Sequence, residues 1–227
     1  GARPVAAYCL NIAAEHLSNG ARCIGDFAIA NQNGQPASPA TPLSSPRSVR
    51  SSLYRGRNAA SEPQLRDVQG RLSYAELLGR VDRLAAVFLA RGVAPGDRIA
   101  ILSHNRSEYL EVELAAAGIG AIVACLNWRL APDELRHCID LVEPVLAVVE
   151  PELSEAYRAV ASTPCLTVGP DLETAIAGVE PDPRTGTMVD DPEAGLTILY
   201  TSGTTGLPKG ALIRHRAHEG LQFLCMT

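Results

Sequence analysis

Residues 196–216, LTILYTSGTTGLPKGALIRHR, hold the densest chemistry in this chain of 227 residues. An apolar run, 196–200, leads into a segment built of hydroxyls, glycines and one lysine. A second apolar run, 211–213, follows, with a helix start near His215. Such a segment suits a polyphosphate. Gly203 and Gly206 let the backbone bend so that successive amides point inward as an anion nest. Thr201, Ser202, Thr204 and Thr205 supply hydroxyl donors for phosphate oxygens. Lys209 adds a mobile point charge. Pro208 restricts the backbone beside that lysine, so less order has to be gained on binding.

Other loop chemistries fail on spacing. A Walker loop needs G-x-x-x-x-G-K followed by Ser or Thr. Counted from Gly203, Pro208 takes the place of the second glycine and Gly210 follows the lysine. A nucleophile elbow needs glycine two residues before its serine, where Tyr200 stands before Ser202. Ser202 and Lys209 are too far apart for a serine–lysine pair, and no G-x-G-x-x-G occurs in this stretch. By composition alone, a plain Gly/Thr surface loop between two strands fits equally well. His215 and Arg216 can be read either as functional groups or as a polar helix start. His104 and His137 receive no role. Asp97 and Asp133 are read as turn and first-turn residues, and no residue is assigned to a metal.

The elements that must carry this segment begin near Leu72. Ser73-Tyr-Ala-Glu76 is a capping box, and Leu77, Leu78, Val81, Leu84, Ala85 and Phe88 recur at helical spacing. Gly92 is placed to end that helix in the left-handed region. After the turn residues 95–97 come an apolar strand at 98–102, an Ala-rich helix at 107–118 and a strand at 121–125. A helix opened by Pro132 and a strand at 145–149 follow. This alternation predicts an α/β fold: a mostly parallel sheet with helices on both faces. The near-continuous apolar strands agree, because parallel strands are buried on both sides. Residues 150–195 repeat the pattern weakly among six prolines.

Composition narrows the function classes. Aromatics are 4% while hydrophobic residues are 46%, so the core must be aliphatic. The formal net charge is −5 with no basic tract, which excludes a nucleic-acid surface or an anionic-membrane surface. The six cysteines form no C-x-x-C pair and join no histidine cluster. They read as reduced, mostly buried thiols of a cytoplasmic protein. No apolar run approaches the length of a membrane span, and residues 1–10 lack the apolar block of a signal peptide. Residues 31–52, rich in Pro and Ser, read as a linker. Residues 1–30 stay unassigned, with a short helix expected over 8–17, and residues 53–227 form one partial domain.

The eleven residues Tyr200-Thr-Ser-Gly-Thr-Thr-Gly-Leu-Pro-Lys-Gly210 resemble the phosphate-binding signature of the adenylate-forming superfamily. That superfamily comprises acyl-CoA synthetases, peptide-synthetase adenylation domains and luciferases. Leu72-Ser-Tyr-Ala-Glu-Leu77, Gly92-Val-Ala-Pro-Gly-Asp-Arg-Ile99 and Leu126-Asn-Trp-Arg-Leu-Ala-Pro-Asp-Glu-Leu135 resemble it too, in the expected order. The resemblance covers about Ser51 onward and implies the incomplete N-terminal domain of such an enzyme. The Asn127-Trp-Arg-Leu130 wording is more similar to acid–CoA ligases than to peptide synthetases.

The resemblance further implies ATP-dependent activation of a carboxylic acid, fatty or related, to acyl-AMP and then acyl-CoA. ATP, Mg²⁺ and CoA are the implied cofactors, and a small carboxylic acid is the implied partner. Thr201, Ser202, Gly203, Thr204, Thr205, Gly206 and Lys209 would cradle the phosphates, with Lys209 as the catalytic contact to pyrophosphate. The family's adenine-, metal- and ribose-binding motifs and its C-terminal lysine domain come later than this stretch, so the chain alone is expected to be inactive. Three readings stay open: part of an acid–CoA ligase, a truncated non-catalytic fragment that at most binds phosphates, and a peptide-synthetase adenylation domain.

Overall fold

The structure, a computed structural model, describes residues 63–66, 71–185, 191–201 and 206–217. The expected helix over 8–17, the linker over 31–52, the site residues Ser202, Gly203, Thr204 and Thr205, and three cysteines (Cys9, Cys23, Cys225) lie outside the described residues.

The sheet is built from strands whose side chains are buried on both faces. In β3 (Arg98–Leu102), Ile99 and Ile101 enter one apolar cluster while Ala100 and Leu102 enter another. In β5 (Leu146–Val149) the alternation repeats, with Leu146 and Val148 in the first cluster and Ala147 and Val149 in the second. The period of two assigns successive residues to opposite faces. Since both faces are covered, the strands read as continuous apolar runs. β3 pairs in parallel with β5 and with β4 (Ile122–Cys125), and β5 pairs in parallel with β6 (Cys165–Thr167). β4 pairs in parallel with β7 (Gly195–Thr201), which pairs antiparallel with β8 (Lys209–Arg214). The six-stranded order is β6-β5-β3-β4-β7-β8. A separate antiparallel pair joins β1 (Pro63–Arg66) to β2 (Arg71–Ser73).

The expected strands at 98–102, 121–125 and 145–149 are therefore present within a residue, parallel and in one sheet. Helices cover both faces. The first carries α1 (Tyr74–Ala90), α2 (Ser107–Ile119) and, after β6, α5 (Pro170–Ala177). The second carries α3 (Pro132–Val142) and α4 (Ser154–Arg158). Gly92, at φ 84°, turns the chain out of α1 where the sequence put the stop. Pro132 opens α3, whose Glu134 carboxylate accepts the Ala131 amide at 3.0 Å.

Two arginines tie helices to the frame. Arg80 of α1 donates to Glu111 of α2 at 2.7 Å and to Glu173 of α5 at 2.6 Å. Arg98 of β3 donates to the Val142 and Glu143 carbonyls at the end of α3, at 2.6 and 3.2 Å. Its cation thus meets carbonyls left without partners at a helix end, where the dipole favours positive charge. Cys138 is buried, and Cys125 and Cys165 are partly so; all three are free thiols. Among the described residues no helix is long and apolar enough to cross a membrane.

The strand order has a consequence for ligands. The chain steps from β3 to β4 on one side and back to β5 on the other. From β6 it crosses to β7, beyond β4. Such reversals open crevices at the carboxyl ends of parallel strands, where ligands of open α/β sheets bind. The β4–β7 reversal brings residues 126–130 beside the end of β7.

Candidate functional site

The site is built on β7 and β8. β7 is moored to β4 by Thr197, whose buried hydroxyl donates to the Val123 carbonyl at 3.0 Å and lies 3.1 Å from the Cys125 sulfur. Burial pushes the Cys125 thiol up to about 12, so that group stays a neutral thiol. Toward the carboxyl end, Tyr200 pairs with Gly210 and Thr201 with Lys209. The Thr201 hydroxyl reaches the Lys209 carbonyl at 3.5 Å. Thr201 and Lys209 are therefore the last register partners of the β7–β8 ladder. Gly206 sits at φ 151°, a region favouring glycine, and is exposed.

Lys209 differs from the expectation. The sequence reads it as a loop residue, but it is the first residue of β8. Pairing with Thr201 continues the antiparallel ladder one residue past Gly210, so its backbone is held while its side chain stays exposed. Among the described residues its ammonium has no carboxylate partner.

Helix α3 grips both arms of this hairpin. The Tyr200 hydroxyl donates to the Cys138 carbonyl at 2.8 Å. Burial, with Cys138 and Cys125 nearby, pushes that hydroxyl far up, so it remains a protonated donor. On the other arm, the His137 ring nitrogen Nε2 lies 3.1 Å from the Pro208 carbonyl. Pro208 is buried although Leu207 beside it is 53% exposed, so the chain dips against the helix just before Lys209. Sequence reasoning left His137 without a role, since nothing local to α3 marks which strand it faces.

A ledge borders the hairpin along the carboxyl edge of the sheet. After β4, Trp128 is 41% exposed; its ring lies 4.4 Å from that of His104, and the Arg129 guanidinium stands 4.4 Å over it. His104 Nδ1 lies 2.8 Å from Glu150, just past β5. Burial alone would raise the Glu150 carboxyl. The His104 amide and ring and the Ser103 hydroxyl outweigh burial and hold it below its ordinary range.

The remaining sequence candidates resolve structurally. His215 and Arg216 follow β8 at the end remote from the turn. There the His215 amide donates to the Ala194 carbonyl and the Arg216 amide to Pro192, at 3.1 and 3.0 Å. The His215 ring is fully buried and has no hydrogen-bond partner among the described residues, and burial lowers its pKa. These residues close the sheet end and do not face the turn. Asp97 accepts the Ala94 amide at 2.9 Å, a turn bond, and Asp133 lies in the first turn of α3. Among the described residues no three His, Cys, Asp or Glu side chains form a metal cage.

Comparison with known proteins agrees with this architecture. Residues 54–225 match the family model described as AMP-binding enzyme. A feruloyl-CoA synthase from Amycolatopsis sp is 41% identical over 144 residues, covering 63% of this chain and 28% of that protein. An indoleacetate–CoA ligase from Aromatoleum aromaticum is 37% identical over 178 residues, covering 71% and 34% respectively. Among solved structures, apo MatB from Rhodopseudomonas palustris superposes with a TM-score of 0.65 at 31% identity, covering 73% of this chain and 34% of that one. Its ATP-bound form matches at 0.61 and 32%, covering 72% and 34%. The chain spans about a third of the length of these relatives. With residues 54–225 matched and a β7–β8 hairpin at the edge of a mostly parallel sheet, it belongs to the AMP-binding enzyme family, within the adenylate-forming superfamily.

Proposed function

We propose that this chain supplies the phosphate-holding part of an enzyme that joins a carboxylic acid to AMP, releasing pyrophosphate, and then passes the acyl group to CoA. The observation that carries the reading is the hairpin mouth, where Thr201 and Lys209 are register partners. Residues 53–227 would be the N-terminal part of the adenylate-forming domain, with 31–52 as its leading linker. Thr201, Ser202, Gly203, Thr204, Thr205, Gly206 and Lys209 would contact the ATP phosphates.

The electrostatic problem is the approach of two anions. A carboxylate oxygen attacks the α-phosphorus, the bond from that phosphorus to the bridging oxygen breaks, and pyrophosphate leaves with the electron pair. Donors fixed around the β- and γ-phosphates lower the repulsion and stabilise the leaving group. Lys209 brings the positive charge, the hydroxyls bring neutral donors, and α3 restrains both arms. In the second step the CoA sulfur bonds to the acyl carbon, the bond from that carbon to the AMP oxygen breaks, AMP departs with the electron pair, and the thiol proton passes to solvent. Magnesium would add charge neutralisation on the nucleotide. The described residues offer it no side-chain cage.

The substrate class we assign is a hydrophobic carboxylic acid, fatty or aryl. Support comes from similar proteins named as acting on feruloyl, indoleacetate, long-chain fatty and 4-chlorobenzoate acids. Acid-dependent exchange of labelled pyrophosphate into ATP tests the reading in the complete gene product, with a panel of those four acid types. Exchange with at least one is expected, and release of AMP should become CoA-dependent. Absence of exchange with every acid would remove the reading.

A further inference from the structure

We infer that His137 is a positioning residue for the phosphate hairpin, acting through the Pro208 carbonyl to set the peptide that leads into Lys209; this rests on the function proposed above. His137 Nε2 lies 3.1 Å from that carbonyl, and a carbonyl only accepts, so Nε2 carries the proton. The bonded peptide is the one joining Pro208 to Lys209. Its plane sets where the Lys209 backbone starts and so where the exposed ammonium is aimed.

Two other contacts make α3 a support running along this hairpin. One residue further along the helix, the Cys138 carbonyl accepts the Tyr200 hydroxyl at 2.8 Å from the opposite arm. At the next turn, Leu141 closes on Gly210. A Cβ on that glycine would lie 3.5 Å from a Leu141 methyl, in ordinary contact, and 3.1 Å from an Ile198 methyl, so the helix side chain packs directly over the bare glycine. The helix itself is held at its far end by Arg98, through the Val142 and Glu143 carbonyls. A rigid element therefore reaches both the strand leading into the turn and the strand leading out of it. On the outgoing arm, His137 bonds the peptide that leads into Lys209. Without it, the Pro208 carbonyl loses its side-chain donor, and among the described residues the Thr201–Lys209 pairing is left to order this arm. The loss falls on orientation of the charge in the reacting complex, more than on affinity for ATP.

The test compares His137→Ala and His137→Gln with the wild-type protein. Glutamine places an amide N–H near the position of imidazole Nε2. Hydrogen exchange of a peptide covering 206–210 is read first. The alanine variant should exchange about five- to tenfold faster there, the loss of one net hydrogen bond, with the body of β7 unchanged. Glutamine should restore protection. Single-turnover acyl-adenylate formation should fall by a similar factor in the alanine variant and recover in the glutamine variant, with the KM for ATP little changed. A role confined to stability would lower the melting temperature of the alanine variant and leave the rate of the folded fraction intact, which would overturn the inference. Unchanged exchange at 206–210 would also overturn it. If the wild-type protein adenylates no acid, the function proposed above falls, while the exchange comparison still decides the role of His137.

Discussion

Thr201 and Lys209 face each other as register partners across β7 and β8, with the Thr201 hydroxyl 3.5 Å from the Lys209 carbonyl. The lysine backbone is therefore part of a ladder while its ammonium extends into solvent. Charge and fold are separable at this position. Lys209→Ala should leave the melting temperature within about a degree, since an exposed side chain contributes little to stability.

The same substitution should slow adenylation in the complete gene product by roughly 10²–10³, the usual cost of one preorganised donor at a developing charge. Binding of ATP should weaken far less, because the interaction grows as pyrophosphate separates. Lys209→Arg should recover part of the rate, its planar fork being differently aimed. Single-turnover acyl-adenylate formation beside a thermal melt reads both quantities. Near-normal adenylation by the alanine variant would take Lys209 out of the mechanism.

Glu113 on α2 provides a pH prediction. Its Oε1 is buried without a partner among the described residues, and burial pushes the carboxyl up to about 7 from an ordinary 4.5. Between those values the folded protein binds more protons than the unfolded chain, so stability falls as pH rises through the window. The stability contribution is complete below about pH 4.5 and gone above about pH 7. Glu113→Gln should therefore stabilise the protein at pH 8 by about 3 kcal/mol and change little at pH 4. Urea midpoints across this range would show the slope flatten in the variant. An equal effect at both pH values would discard the explanation.

Arg80 offers a test of the helical layer. Its guanidinium bridges Glu111, whose side chain is 1% exposed, and Glu173, which is 49% exposed. Arg80→Met should cost about 3 kcal/mol, chiefly because Glu111 is left buried and unpaired. The more exposed Glu173 pair should contribute under about 1 kcal/mol. Adding Glu111→Leu to Arg80→Met should recover most of the loss, since an apolar pair can replace a buried ion pair. Urea unfolding of the single and double variants gives the answer. A double variant no more stable than the single one would contradict this account.

Local signals account for what the amino-acid sequence determined by itself. Pro132 with two acids after it marks the start of α3, and Gly92 marks the end of α1, because capping involves only the residues of one turn. The apolar runs at 98–102 and 145–149 announce strands covered on both faces, since side-chain period is set by the backbone alone. The order of residues 200–210 carries the family resemblance, since that signature is read along one short segment. Contacts between elements were decided only by tertiary structure. No local signal says that β7 crosses the sheet to lie beside β4, where Thr197 finds the Val123 carbonyl. Nor does one say that His137 will meet Pro208, that His215 will be fully buried at the far end of β8, or that Lys209 will begin a strand instead of lying in a loop. Each of these depends on which crossover the chain takes. That choice is made by the burial of whole faces, a sum over distant residues that no short window contains.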